Sequence, residues 1–141
     1  MATVIEVREL LDRALEAGMS GAAHCAELPI EELAANYNGV GPAWAPDWVR
    51  ALLTKSHRTF LSAVLIHDMR YTESDGTSHG FNFANDELET NCLIAADAAY
   101  CVLNPLRYVA RYRAGKIARA CRVAGWKAWV DAFKARADRQ R

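Results

Sequence analysis

The most apolar stretch of the chain, residues 59–71, carries two adjacent ionisable residues, His67 and Asp68. The spacing of its apolar residues predicts a buried helix with one shared face, formed by Phe60, Ala63, Val64, His67 and Tyr71. Burying a polar or charged group without a partner costs several kcal/mol. This pair therefore needs partners, a ligand or a water-lined cleft. The alternative interpretation is a core histidine with satisfied hydrogen bonds beside a surface aspartate.

Helical spacing elsewhere, interrupted by Gly and Pro, predicts an all-α fold. Strand signals are weak, although residues 73–80 are compatible with a surface loop or a small hairpin. The length of 141 residues suits one domain, residues 1–141. The expected helices cover residues 4–17, 29–36, a segment capped by Asp47, and then 59–71, 83–103, 105–125 and the stretch from 126 onward.

The sequence contains no apolar run of about 18 residues, which excludes a transmembrane helix. The N-terminus lacks the basic segment and apolar run of a secretory signal. We therefore expect a cytoplasmic protein, or one that is delivered without a cleaved signal.

The four cysteines show no CxxC spacing, which gives a zinc site little support. Cys92 and Cys101 are expected on one helix, where a nine-residue separation corresponds to about 13 Å, too far for a disulfide. We interpret all four as buried free thiols.

Charge is distributed unevenly along a chain whose net charge is zero. Residues 105–141 hold eleven Lys and Arg against two acids, whereas residues 1–104 hold six basic and fifteen acidic residues. A basic helical surface suits lipid headgroups, nucleic acid or an acidic protein. The alternative is that these helices pack on the acidic part and are partly neutralised there. Within residues 105–124 we expect four residues to be packed in the core, namely Tyr108, Tyr112, Ile117 and Val123.

Two segments that flank the apolar helix bear on its chemistry. Before it, glycines alternate in the loop of residues 37–42, which could turn its carbonyl oxygens towards a hard cation. After it, residues 83–88 offer polar groups that could reach the face bearing His67 and Tyr71. The alternatives are an ordinary loop and plain helix capping by Asn85 or Asp86.

Taken in order, the three segments resemble the phospholipase A2 superfamily, in particular its disulfide-poor branch of parvovirus capsid domains and small phage-encoded domains. The family pattern is Tyr-x-Gly-x-Gly, His-Asp-x-x-Tyr and Ala-Asp-x-x-Phe. The resemblance covers residues 36–92 and implies a helix pair, antiparallel and carrying the His-Asp-x-x-Tyr motif, in a phage- or virion-associated protein. The corresponding residues here are Tyr37-x-Gly39-x-Gly41, His67-Asp68-x-x-Tyr71 and Ala84-Asn85-x-x-Leu88.

The resemblance implies a calcium-dependent hydrolase of phospholipid ester bonds. Its general base would be His67, which takes a proton from the attacking water. Tyr71 would hydrogen-bond the group that orients His67. The Ca²⁺ ligands would be the carboxylate of Asp68 and the backbone carbonyls of Tyr37, Gly39 and Gly41.

The chain departs from the family pattern at the position that orients the histidine, where Asn85 replaces an aspartate. An amide oxygen can accept from the imidazole N–H, but it carries no charge with which to stabilise the imidazolium. Asp86 could substitute only if the helix were rotated by about 100°.

Three functions therefore remain open. The first is an active or impaired calcium-dependent lipid esterase. The second is a lipid-binding or structural phage or effector domain that has lost turnover. The third is a binder of nucleic acid or acidic protein that uses residues 105–141.

Overall fold

The protein is described by a computed structural model that covers residues 2–40, 46 and 53–140. No strand is assigned in these ranges, so they form an all-α structure, as the sequence predicts. A 3₁₀ turn, Arg58–Phe60, precedes α4, and residues 53–56 are also helical. The helices are α1 (Val4–Glu16), α2 (Ala22–Ala26), α3 (Ile30–Asn36), α4 (Leu61–Thr72), α5 (Ser78–Ala99), α6 (Pro105–Ala124) and α7 (Trp126–Arg139).

Side-chain caps set the starts of three helices. Thr3 and Glu6 form a reciprocal capping box at α1. Thr77 accepts a hydrogen bond from a backbone N–H of the first turn of α5, and Asn104 does the same at α6, where Pro105 occupies the first turn. The predicted boundaries of α1, α3, α6 and α7 agree with the structure to within one or two residues.

The helix expected over residues 83–103 instead spans Ser78–Ala99. Because Thr77 caps it, the polar residues after Thr77 are helical, and the hairpin alternative for residues 73–80 is wrong. The helix ends early because Tyr100 is extended. The short helix α2, entered through Gly21 at φ +82, was not predicted. The helix expected after Asp47 lies largely outside the described residues.

Helices α1, α4 and α5 surround the main core, and α6 packs on α5. On α6 the buried stripe consists of alanines only, Ala110, Ala114 and Ala118, which allows the two helices to approach closely. Among the described residues, no helix is both long and apolar enough to cross a membrane. The largest fully buried apolar side chains are Phe60, Leu33, Leu65, Ile66, Met69 and Leu88.

A smaller apolar cluster joins α7 to α4 and α5. Trp129 is buried against Phe81, and its indole N–H donates to the Thr77 carbonyl at 3.0 Å. The buried Ser74 hydroxyl donates to the Trp129 carbonyl at 2.7 Å. These bonds fix the last helix on the end of α4 that carries Tyr71.

The basic C-terminal helices are partly neutralised by the acidic part of the chain. Arg107 and Arg111 both pair with Asp97. Arg122 pairs with Asp86 and also with a second α5 carboxylate, that of Glu89. Packing on the acidic part therefore accounts for three of the basic side chains of α6.

Three residues expected in the core are on the surface. Tyr108, Tyr112 and Val123 are exposed, and only Ile117 packs against the core. The reason is that the alanine stripe, on the opposite side of α6, makes the contact with α5.

All four cysteines are free, but the expectation that all are buried is wrong for one of them. Cys25 and Cys92 are buried and Cys121 is half-buried. Cys101 is exposed because it lies beyond the end of α5.

Candidate functional site

A direct side-chain contact joins the helix that bears the His-Asp pair to α5. His67 Nε2 lies 3.2 Å from Asn85 Oδ1, and both residues are buried. The Asn85 amide nitrogen donates to the Phe81 carbonyl at 2.8 Å, which fixes the orientation of the amide. Because the amide oxygen faces the ring, Nε2 must carry the imidazole proton. The Nδ1 lone pair is then left available, and Nδ1 makes no hydrogen bond to a described residue.

Burial keeps this imidazole neutral. Desolvation lowers the pKa of His67 to about 4, although Asn85 and the Glu87 carboxylate both act in the opposite direction. At neutral pH the side chain is therefore in the form that can accept a proton. Its low pKa also makes it a weak base.

Asp86 does not lie at the His67 ring. Its side chain is 70% exposed and pairs with Arg122 at 2.7 Å. One residue corresponds to a rotation of about 100° along a helix, so Asn85 and Asp86 face different surroundings. The partner of His67 is Asn85.

The Tyr71 ring packs against the histidine at a tilt of 47°, with ring centroids 4.5 Å apart. The ring also packs edge-on against Trp129, at 5.2 Å, and tilted against Phe81, at 6.4 Å. The hydroxyl is buried near Asn85, but the geometry falls short of a hydrogen bond, and it finds no other partner among the described residues. Burial raises the pKa of this phenol well above its usual range. The hydrogen bond expected from Tyr71 to the orienting group is not formed.

Asp68 contacts the glycine loop that precedes α4. The backbone N–H of Asn38 donates to Asp68 Oδ2 at 2.8 Å. A second hydrogen bond holds the same loop, in which the N–H of Val40 donates to the Thr54 hydroxyl at 3.2 Å. Gly39 has φ +71, and a Cβ there would meet Thr54 Oγ1 at 2.9 Å. The loop therefore needs glycine at this position in order to approach Thr54.

Tyr37 begins this loop with its side chain turned inward. Its hydroxyl is buried and makes no hydrogen bond to a described residue. Burial raises the pKa of Tyr37 well above its usual range, and the charge of Asp68 raises it further. Gly41, the third residue implied as a carbonyl ligand, lies outside the described residues.

Some of the oxygen atoms at this loop are of the kind that a hard cation binds. The Asp68 carboxylate reaches the loop that carries the carbonyls of Tyr37 and Gly39, and such oxygens are the ligands Ca²⁺ prefers. However, Oδ2 of the Asp68 carboxylate already accepts a hydrogen bond from a backbone N–H of this loop. Within the described part of the chain, no three His, Cys, Asp or Glu side chains cluster as metal ligands. Among the described groups, the Asp68 carboxylate and the backbone carbonyls of Tyr37 and Gly39 are the ones that could hold a cation here.

A buried polar network beside the site was not predicted. Arg70 donates two hydrogen bonds to Glu87, at 2.7 and 3.0 Å, and the Glu87 side chain is only 3% exposed. Glu87 also accepts from the Ser20 hydroxyl. The Ser20 backbone in turn exchanges two hydrogen bonds with the Asn91 amide. The only sequence signal is the placement of Glu87 and Asn91 on the inward face of a helix.

A surface cleft of about 380 Å³ lies away from His67, at the other end of α4. Its walls include Arg13, Arg58 and Ser62. None of the residues lining this cleft belongs to the His67 and Asp68 site.

Two contacts join the three segments, Asn38 with Asp68 and His67 with Asn85. A third contact, Tyr71 with His67, lies within α4. Comparison with protein-family models, curated proteins and solved structures finds no match to this chain.

Proposed function

We propose that the chain is a calcium-dependent phospholipase A2-like esterase in which Asn85 slows turnover. The observation that carries the proposal is the fixed amide of Asn85, which makes Nε2 of His67 the donor and Nδ1 the acceptor. A general base needs an unprotonated nitrogen held in one orientation.

The three motif segments also support the proposal by their placement. Tyr71 contacts Phe81, and His67 contacts Asn85. The residue numbers rise on one helix as they fall on the other, which suits an antiparallel pair. The loop before α4 reaches Asp68. A metal and a base would therefore belong to one site.

In the proposed reaction, His67 Nδ1 takes a proton from the water whose oxygen attacks the ester carbonyl. Nε2 stays hydrogen-bonded to Asn85. The imidazolium then gives the proton to the departing alkoxide, and the products are a fatty acid and a lysophospholipid. Asp68, with the carbonyls of Tyr37 and Gly39, would hold Ca²⁺, which when bound polarises the ester carbonyl and offsets the charge of the oxyanion.

Slow turnover follows from the uncharged partner of the base. An amide stabilises the imidazolium less than a carboxylate does, and losing that charge can cost several kcal/mol at the transition state. The depressed pKa of His67, about 4, acts in the same direction.

The test is fatty-acid release from phospholipid vesicles with Ca²⁺ or with a chelator. We expect slow, calcium-dependent release that His67→Ala abolishes. His24→Ala is the matched control, because His24 also pairs with an acceptor, Glu73, at 2.7 Å but lies outside the site. Release that is unchanged in His67→Ala would overturn the proposal.

A second candidate is a lipid-binding domain of the same fold without turnover, which would suit a virion or effector component. The deep burial of His67 favours it. Its signature would be vesicle binding with no fatty-acid release in either the native chain or Asn85→Asp.

A further inference from the structure

The outer side of α6 is exposed, apolar and basic at the same time. Its exposed residues recur at helical spacing on the side opposite the buried alanines, and the turn before α6 adds two more apolar residues. Leu103 is 88% exposed and Val123 is 80% exposed. We call this surface the α6 outer face; it comprises Val102, Leu103, Tyr108, Val109, Tyr112, Lys116, Arg119 and Val123.

Among the described residues, no carboxylate neutralises the positive charges of this face. Lys116 and Arg119 form no ion pair with the described residues, and Arg113 at the edge of the face forms none either. Lys116 Nζ instead lies 5.2 Å from the centre of the Tyr112 ring. Residues 105–124 contain no acid at all. The basic residues that do pair, such as Arg111 and Arg122, lie on the flanks towards α5.

We propose that the α6 outer face binds the surface of an anionic lipid membrane. Exposed aliphatic side chains gain by entering the boundary between headgroups and acyl chains, tyrosines suit the headgroup level, and unpaired Lys and Arg attract anionic lipids. The face has all three kinds of residue. This binding does not depend on hydrolysis at His67.

Two other occupants fit the face less well. Nucleic acid would use the basic and aromatic residues, but Leu103, Val109 and Val123 neither pair with phosphate nor stack on bases. A second copy of the chain would bring the same unpaired positive charges together across a two-fold contact, where they repel.

The expected strength of membrane binding follows from the three unpaired positive charges, those of Arg113, Lys116 and Arg119. Each Lys or Arg near an anionic surface is worth about 1 kcal/mol, so three of them predict roughly a hundredfold preference for anionic over neutral vesicles. Removing two of them should weaken binding about thirtyfold.

The experiment is sedimentation of the full chain with vesicles of ether-linked phosphatidylcholine, with and without ether-linked phosphatidylserine, since ether lipids cannot be hydrolysed by an esterase. The variants are Lys116→Gln/Arg119→Gln and Leu103→Ser, all at exposed positions. The matched control is Arg8→Gln/Lys55→Gln, which removes two exposed positive charges elsewhere.

We expect tight binding only with phosphatidylserine, weakened by both outer-face variants and kept by the control. Equal binding to neutral vesicles, or equal loss in the control, would overturn the proposal. It would also fail if a DNA duplex bound more tightly than vesicles through the same residues, or if Leu103→Ser abolished a dimer and left vesicle binding intact.

Discussion

Asn85 holds His67 through its amide oxygen, 3.2 Å from Nε2, while its amide nitrogen is bound to a backbone carbonyl of its own helix. The amide therefore cannot turn its nitrogen towards the ring without losing that bond. This relationship decides the tautomer of the imidazole and which of its nitrogens can act on a substrate.

The pH dependence of stability should contain a contribution from His67. Its pKa is about 4 in the folded protein against 6.5 for a free side chain. Between these values the unfolded chain binds a proton that the folded chain does not, so stability is full above pH 6.5 and falls as the pH is lowered towards 4. The loss should reach roughly 3 kcal/mol.

Urea unfolding of the native chain and of His67→Gln across pH 4–8 measures this contribution. Glutamine does not titrate, so the difference between the two proteins isolates the histidine. If the free energy of unfolding changed with pH equally in both proteins, the low pKa of His67 would be contradicted.

Asn85→Asp should raise the pKa of His67 by about 1–3 units, because a carboxylate favours the imidazolium. It should also lower stability, since the hydrogen bond to the Phe81 carbonyl is lost. NMR titration of His67 measures the first effect and urea unfolding the second. Asn85→Ala, which adds no charge, is the control and should leave the pKa low. An unchanged pKa in Asn85→Asp would show that the two side chains are not in contact.

Arg70→Met should destabilise the protein by about 2–4 kcal/mol, because it leaves the buried Glu87 carboxylate without its cation. The control is Arg122→Met, which removes two more exposed ion pairs, to Asp86 and Glu89, and should cost less than about 1 kcal/mol. Thermal or urea unfolding compares the two. Equal losses would mean that Glu87 is not buried in solution.

Two Gly→Ala substitutions should act in opposite directions. A Cβ at Gly125 would collide with the Tyr71 hydroxyl and with the Cys121 carbonyl, so Gly125→Ala should destabilise by about 1–3 kcal/mol. A Cβ at Gly115, inside α6, meets nothing within 4 Å, so Gly115→Ala should stabilise by up to about 1 kcal/mol. Unfolding curves for both variants test the packing of α7 on Tyr71. Stabilisation by both would contradict that packing.

The helices could be predicted from the sequence because caps and breakers act locally. Pro105 and Asn104 fix the start of α6, and the Thr77 cap fixes that of α5, five residues before the start expected from apolar spacing. The inward position of Asn85 also follows from helical spacing, since Phe81 and Leu88 share its face.

Features that depend on packing could not be predicted. Helix α6 offers two stripes, one of bulky residues such as Tyr112 and one of alanines such as Ala114. Hydropathy favours the first as the core. Close approach to α5 selects the second. The pairing of Arg70 with Glu87 likewise joins residues on different helices, so the local sequence around either residue does not predict it.

The proposed chemistry depends on His67 being a neutral base held through Nε2, and two-dimensional ¹H–¹⁵N NMR of the imidazole tests this most directly. At pH 7 we predict the Nε2–H tautomer with an unprotonated Nδ1, and titration with a pKa of about 4. An Nδ1–H tautomer, or a pKa near 6.5, would contradict this role of His67.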